Sequence, residues 1–285
     1  MTTPYQQAPP APQWQGGPVG GYTSPIPVRR ATLGDALASE WTKLRSVRST
    51  MWTLGIMIAL MLGIGLLVAV TIVAADAATD DESALALGFF GVLLGSICVM
   101  TLGVMTIASE YGTGMIRTTL TACPSRARVL TAKSLVFFLL VFVITTVTTA
   151  IVGALQTAIL DATSPTGSEW LKATVGVGLY LATLGLLSLA VGTLIRHSAG
   201  AITIMIGVVL LPLVLAMFMF SQSLDGLRTA LFEYSIPNQL GVFYNNTVTA
   251  AGTSGPSGWD PLWILAGVTA VVMSGAFFAL DKRDV

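Results

Sequence analysis

A short polar stretch between two long apolar runs carries the residues whose types and spacing could do chemical or mechanical work in this chain. It covers Ser109–Arg117 and reads Ser-Glu-Tyr-Gly-Thr-Gly-Met-Ile-Arg. Gly112 and Gly114 predict a sharp turn, because glycine adopts backbone conformations that other residues rarely reach. Glu110 stands just before that turn, at the end of the preceding apolar run. The stretch is therefore a candidate for contact with another molecule.

A short helix is predicted to follow the turn. Met115, Ile116 and Leu120 supply apolar side chains among polar neighbours. Pro124 ends this helix, because proline lacks the backbone N–H that a helix interior needs. Ser125 can then cap the next helix. The glycine turn, the short apolar element and the proline together predict a docking surface.

Motifs of common catalytic sites do not occur in the sequence. No G-x-x-x-x-G-K-[ST] segment is present, so the chain lacks the phosphate-binding loop of many ATPases. No serine stands in a G-x-S-x-G elbow, and the lone His197 has no catalytic or ligating partner nearby in sequence. Cys98 and Cys123 do not have the spacing of a metal site. We therefore expect no catalytic residue, no metal and no cofactor bound by this chain.

The composition indicates an integral membrane protein. Of the 285 residues, 54% are hydrophobic and only 10% are charged. Water-soluble domains carry about 25% charged residues, so a surface this poor in charge favours a lipid environment. The formal net charge is zero, which gives no bulk attraction to nucleic acid. The lipid bilayer is thus the first expected partner.

Six apolar runs are long enough to cross a bilayer, whose hydrocarbon core needs about 20 apolar residues in a helix. Gly91 and Gly95 form a GxxxG pair in the second run, which predicts close helix packing within one chain or between two. The predicted fold is all-α and integral to the membrane. The runs cover residues 52–75, 84–108, 134–160, 174–195, 199–221 and 261–280.

No Asp, Glu, Lys or Arg occurs inside these six runs. Ion-coupled transporters usually keep an ionisable group at depth, despite a cost of at least about 2.5 kcal/mol. A coupling-ion site is therefore disfavoured, and any energy for transport should come from outside this chain. An intramembrane enzyme is also disfavoured, because it would need paired acids, paired histidines or a Ser–Lys dyad at depth.

Charged residues flank the apolar runs asymmetrically, and basic residues in such flanks mark the cytoplasmic side. With the N-terminus in the cytoplasm, the outer side holds only Lys172 and Arg228 as basic residues. An even number of spans then places both termini in the cytoplasm, and we expect the chain in the cell membrane. The basic residues assigned to the cytoplasm are Arg29, Arg30, Lys43, Arg45, Arg48, Arg117, Arg126, Arg128, Lys133, Arg196, Lys282 and Arg283.

Residues 1–30 are rich in proline, glycine and glutamine. Such a segment buries too little apolar surface to offset its chain entropy, so we expect a disordered cytoplasmic tail. Residues 31–285 then form the six-span membrane domain.

An amphipathic helix is predicted from Leu33 to Val47, in the membrane interface just before the first span. Thr32 can cap this helix, and Asp35 stands where a capping-box acid would lie. Its apolar stripe consists of Leu33, Leu37, Trp41 and Leu44, and the charged residues off that stripe are Asp35, Glu40, Lys43 and Arg45.

The longest loop runs from Gln222 to Asp260 on the predicted outer side. Its apolar residues, including Leu231 and Phe243, predict one or two short helices against the membrane exit. Pro237 fits the start of the second of these helices, because proline is favoured in the first turn.

The order of these parts resembles the permease subunit of the type-2, exporter-like ABC transporter family. The shared features are Glu40–Arg45 at the end of the amphipathic helix, six spans, Glu110–Gly114 after the second span, and Pro124-Ser125-Arg126 before the third. The long semi-apolar loop before the last span completes the resemblance, which covers residues 32–285.

The resemblance implies the membrane half of an ATP-driven exporter. Two permease chains, identical or different, would pair above two separate ATP-binding subunits, and those partners would hold ATP and Mg²⁺. The loop after the second span would carry the coupling helix that seats on the ATP-binding subunit. The implied coupling residues are Glu110, Tyr111, Gly112, Thr113, Met115, Ile116 and Arg117, and the implied interfacial-helix residues are Leu37, Glu40, Trp41, Leu44 and Arg45.

A second interpretation stays open from the sequence. A non-transporting membrane protein, such as an assembly factor or a sensor, could use the same six spans. Nothing within the apolar runs distinguishes it from a transport subunit.

Overall fold

The computed structural model describes residues 31–76, 83–160, 164–245 and 255–282, and every element in these ranges is helical. The predicted disordered tail at 1–30 lies outside the described residues. Six helical segments are long and apolar enough to cross a membrane, which confirms the all-α, six-span prediction. These segments are Arg48–Ala74, Ala84–Gly112, Arg126–Ile159, Gly167–Ile195, Ser198–Met217 and Asp260–Lys282.

We number the α-helices α1 to α11 along the chain. The helices that form the spans are α2 (Arg48–Ala74), α3 (Gly88–Gly112), α5 (Arg126–Ile159), α7 (Val177–Ile195), α8 (Ser198–Met217) and α11 (Asp260–Lys282). The short helices are α1 (Leu33–Ser46), α4 (Met115–Ala122), α6 (Gly167–Leu171), α9 (Asp225–Glu233) and α10 (Ile236–Val242). A 3₁₀ turn, Ala84–Leu87, precedes α3, and a π-helical turn, Lys172–Gly176, joins α6 to α7.

Several helix bounds differ from those of the apolar runs. The third spanning helix begins at Arg126 rather than at residue 134, and the first begins at Arg48 rather than at residue 52. The early part of the third spanning helix contains Lys133, whose ammonium group has carboxylate partners inside the protein. The fourth span also begins early, at Gly167, whereas the fifth ends early, at Met217.

Helix α7 lies at the centre of the bundle and packs against α3, α5 and α11. Its contact with α3 is too close for a larger side chain. A Cβ atom added at Gly103 would lie 2.5 Å from the carbonyl oxygen of Gly185. A Cβ atom at Gly185 would lie 2.6 Å from the ring of Phe137 on α5. Two glycines therefore set the distances between three central helices.

The GxxxG pair of the second span packs within this chain. A Cβ atom added at Gly91 would lie 2.7 Å from the carbonyl oxygen of Met61 on α2. One added at Gly95 would lie 2.9 Å from the Met61 side chain. Of the two arrangements left open by the sequence, the structure shows packing between α2 and α3.

Hydrogen bonds show which helix ends share one face of the bundle. Arg126, at the start of α5, donates to the carbonyl of Leu280 near the end of α11 over 2.6 Å. Arg128 donates to the carbonyl of Ala31, just before α1, over 2.6 Å. The start of α5, the end of α11 and the start of α1 therefore lie together.

The loop before the last span packs against the opposite end of the bundle. Its helices α9 and α10 confirm the prediction of short helical elements, and Ser235 caps α10 with Pro237 in the first turn. Tyr180 on α7 donates to Gln239 on α10 over 3.3 Å. Phe243 packs between the rings of Tyr180 and Trp259. The loop is thus anchored in the core by its aromatic residues.

Candidate functional site

Helix α1 starts with the predicted capping box, formed by Thr32 and Asp35. The predicted apolar stripe is only partly buried, because Leu44 is inside whereas Trp41 is 45% exposed. Glu40 was predicted to lie off the apolar stripe, but its side chain is buried beside Leu44 of that stripe. It shares a helix face with Leu37 and Leu44, three residues before it and four after it, and that face meets α5.

Glu40 belongs to a closed ring of four charged side chains, which we call the charge ring: Glu40 and Lys43 on α1, Glu110 on α3 and Lys133 on α5. Lys133 Nζ donates to Glu40 Oε2 over 2.5 Å and to Glu110 Oε1 over 2.8 Å. Lys43 Nζ donates to Glu40 Oε1 over 2.8 Å and to Glu110 Oε1 over 3.0 Å. Each lysine therefore bridges both carboxylates.

The charge ring is largely sealed from solvent. Glu40, Glu110 and Lys133 are each no more than 5% exposed. Burial lowers the pKa of Lys43, but the hydrogen bonds and charges of Glu40 and Glu110 outweigh it, so that the pKa is raised. Removing one member of a buried ion pair typically costs about 3–5 kcal/mol, because the other charge is left uncompensated. The ring thus ties α1 firmly to α3 and α5.

The short helix α4 is linked to the charge ring. The chain turns at Gly114, whose φ of +72° lies in the left-handed region. Thr119 on α4 accepts a hydrogen bond from Lys43 Nζ over 3.2 Å. The helix ends at Ala122 before the proline, as predicted, but Ser125 makes no side-chain capping bond at the start of α5. Four helices, α1, α3, α4 and α5, therefore meet at one lysine-carboxylate network.

This arrangement can be compared with known protein families. The family model described as ABC-2 family transporter protein matches residues 36–218, which is more than half of the chain. The chain belongs to the ABC-2 transporter family. A search of curated proteins gives no match to it. The matched segment contains the whole charge ring and α4.

Membership of this family defines the general role of the chain. An ABC-2 permease is a membrane transport component and is not itself the ATPase. The sequence-based resemblance to this family is confirmed. The six spanning helices likewise fit a multi-pass membrane permease.

The structure of this ABC-2 permease places the predicted coupling residues in two environments. Met115 is 47% exposed, and Arg117 is also exposed. By contrast, Ile116 is only 3% exposed and belongs to the hydrophobic core, and Glu110 belongs to the charge ring. Gly112, Thr113, Met115 and Arg117 thus form the outward surface of the predicted site.

Tyr111 stands between these two environments. It is half-buried, and the guanidinium carbon of Arg196 lies 5.0 Å from the centroid of its ring. Arg196 follows the last residue of α7 and has a φ of +58°. Because a cation over an aromatic face is attracted by the ring quadrupole, this contact joins the end of α7 to the end of α3.

Sequence reasoning about this ABC-2 permease missed the role of Lys133. By its position in the sequence, Lys133 is one of the flanking basic residues that mark the cytoplasmic side. The available signal was its spacing, since Val129, Lys133, Phe137 and Val141 follow one another at intervals of four along α5. All four are buried, so the lysine lies on the apolar face of its helix.

Proposed function

We propose that this chain is the membrane-spanning permease subunit of an ATP-driven exporter, which forms the translocation path and works with a separate ATP-binding subunit. The observation that carries the proposal is the charge ring. It connects a short exposed helix, α4, to two long spanning helices. A helix held in this way can pass a displacement on to the bundle.

Helix α4 is the proposed coupling helix. Its exposed residues Met115 and Arg117 offer one apolar and one cationic contact to a partner. Ile116 faces the opposite way and anchors α4 on its own chain. ATP and Mg²⁺ would be held by the partner, whose closure would push on α4. The push would reach α1, α3 and α5 through Lys43 and Lys133.

The proposed complex contains two permease chains, identical or different, and two ATP-binding subunits. We place it in the cell membrane with both termini of this chain in the cytoplasm. Two observations support that orientation. Arg117, Arg126, Arg128 and Arg196 all lie at the α4 end of the bundle. The opposite end carries Glu169, which contacts Asn245 over 3.3 Å.

The experiment that tests this function is co-purification followed by an activity measurement. We expect an ATP-binding subunit to be retained when the full-length chain is purified in mild detergent. Arg117→Glu should lower retention of that subunit, and the ATP hydrolysis measured with it, while membrane insertion stays intact. The matched control is Arg228→Glu, since Arg228 is an exposed arginine on the outer-loop helix α9.

Two results would contradict the proposal. One is transport by the purified chain with no nucleotide-binding partner present. The other is equal loss of ATPase retention in the Arg117 and Arg228 variants, because the contact would then not depend on α4.

A further inference from the structure

A groove of about 670 Å³ lies between the amphipathic helix α1 and the spanning helix α5. Every residue that lines it is apolar. On the α5 side, Leu135, Leu139 and Val143 are all exposed. On the α1 side, the indole ring of Trp41 is likewise accessible. A ligand can therefore reach these walls from outside the protein.

The groove follows α5 from Leu135 to Ile144. At 1.5 Å per residue, this stretch is about 14 Å long. The hydrocarbon layer of one bilayer leaflet is about 15 Å deep, which is half of the bilayer core. Because α5 is a spanning helix, the groove has the length, the direction and the apolar lining that suit one acyl chain.

Arg128 lies on the same face of α5, beyond the end of the groove marked by Leu135. The two residues are seven positions apart, which is two helical turns and about 10 Å. Arg128 is half-buried, and its guanidinium donates to the carbonyl of Ala31 over 2.6 Å. An arginine carries five N–H donors, and the others have no partner among the described residues. This side chain can therefore bind a phosphate group.

The charged groups around this end suit a single phosphodiester. The charge ring holds two carboxylates and two ammonium groups, so it leaves no net charge to attract a ligand. Asp35, in the first turn of α1, already accepts hydrogen bonds from the backbone N–H and the hydroxyl of Thr32 over 2.8 and 2.7 Å. Arg128 thus supplies the cation, and one phosphodiester carries the matching charge.

From these observations we propose that the groove binds one acyl chain of a glycerophospholipid whose phosphate contacts Arg128. The acyl chain lies along Leu139 and Val143, against Trp41, and the glycerol backbone spans the two turns between Leu135 and Arg128. The lipid belongs to the leaflet at the α4 end of the bundle and fills the space between α1 and α5. The inference goes beyond the proposed function and needs only a chain that spans the membrane.

The test uses the full chain in digitonin, a steroid detergent without an acyl chain that could compete. The probe is a phosphatidylcholine with a photoreactive diazirine at the end of one acyl chain, and labelled residues are located by mass spectrometry. We expect saturable labelling between Leu135 and Ile144. The matching diacylglycerol probe, which lacks the phosphate, should reach half-saturation at a concentration at least about tenfold higher.

One pair of variants tests the apolar part of the site. Leu139→Trp fills the groove and should abolish saturable labelling. The matched control is Val147→Trp, two turns further along the same exposed face and outside the groove, which should leave labelling unchanged. Leu139 and Val147 are 50% and 52% exposed, so both positions can accept a larger side chain at the surface.

A second pair tests the phosphate contact. Arg128→Gln should raise the half-saturation concentration of the phosphatidylcholine probe about tenfold and leave that of the diacylglycerol probe unchanged. The control is Arg117→Gln, because Arg117 is an exposed arginine at the same end of the bundle but lies on α4. It should change neither value.

Labelling that rises without saturation would indicate ordinary contact with bulk lipid and would overturn the inference. Equal half-saturation of the two probes would do the same, as would labelling that Leu139→Trp leaves unchanged. Cross-linking of the groove to a second copy of the chain, without lipid labelling, would assign the groove to a contact between chains instead. The comparison of the two probes on the unmodified protein stands even if a variant fails to fold. Since no ATP-binding subunit is present, a negative result here leaves the co-purification result unaffected, and the reverse holds too.

Discussion

Lys133 Nζ lies 2.8 Å from Glu110 Oε1, and both side chains are almost fully buried at the junction of α5 and α3. The same ammonium group also binds Glu40 Oε2 on α1. A lysine on the apolar face of a spanning helix is thereby compensated by acids from two other helices. These ion pairs stabilise the buried ammonium group and connect the amphipathic helix α1 to the bundle.

We predict that Lys133→Met destabilises the protein by about 3–5 kcal/mol, because two buried carboxylates lose a shared cation. Thermal unfolding in detergent measures the effect. Lys282→Met is the matched control, since Lys282 is exposed at the end of α11, and it should change stability by no more than about 0.5 kcal/mol. Equal effects of the two variants would show that the ring does not hold the helices together.

We predict that Gly103→Ala destabilises the protein by about 1–3 kcal/mol. The added methyl group would lie 2.5 Å from the Gly185 carbonyl oxygen, and backbone must move to admit it. Gly207→Ala on α8 has nothing within 4 Å of the added atom and should be neutral or slightly stabilising. Thermal unfolding compares the two variants. If Gly103→Ala leaves the stability unchanged, the close α3–α7 contact is contradicted.

We predict that Thr119→Val weakens the attachment of α4 to the charge ring. The hydroxyl of Thr119 accepts from Lys43 Nζ, and a hydrogen bond to a charged group contributes about 1.5–3 kcal/mol. Backbone hydrogen exchange across Met115–Ala122 should rise about tenfold. Thr118→Val is the control, because Thr118 bonds only to the carbonyl of Met115 in its own helix. If both variants exchange alike, α4 is not attached through Lys43.

The raised pKa of Lys43 determines how the ring responds to pH. A lysine whose pKa is raised by folding contributes stability that is fully present below its unfolded value of about 10.4. That contribution is lost as the pH rises through the higher folded value. We therefore expect the stability difference between the unmodified protein and Lys43→Met to be constant from pH 7 to about 9. It should narrow only above about pH 10.

Thermal unfolding of both proteins across this range gives the measurement. Comparison with Lys43→Met removes the contributions of other lysines and tyrosines that titrate at high pH. A difference that narrows near pH 7 would show that the ammonium group of Lys43 is not held by Glu40 and Glu110.

Much of the architecture could be predicted from local sequence. The apolar runs, the capping box at Thr32, the turn at Gly114 and the helical outer loop all depend on neighbours within a few residues. Such features depend on composition and short spacing, so they are visible without the fold. Helix bounds were less accurate where charged residues such as Lys133 extend a helix beyond its apolar run.

The charge ring could not be read from the sequence in the same way. Glu40 and Lys133 are 93 positions apart, and Lys43 and Glu110 are 67 positions apart. The four-residue spacing from Val129 to Val141 places Lys133 on a buried face. No local pattern identifies the carboxylates with which Lys133 pairs.

By itself, the sequence determined that this ABC-2 permease crosses the membrane six times and carries a short polar helix after its second span, because hydropathy and turn chemistry are local properties. Only the tertiary structure decided that Ile116 faces inward while Met115 faces outward, and that Glu110 pairs with Lys43 and Lys133. The physical reason is that a buried charge is stable only beside its counter-charge, and the packing of α1, α3 and α5 brings them together.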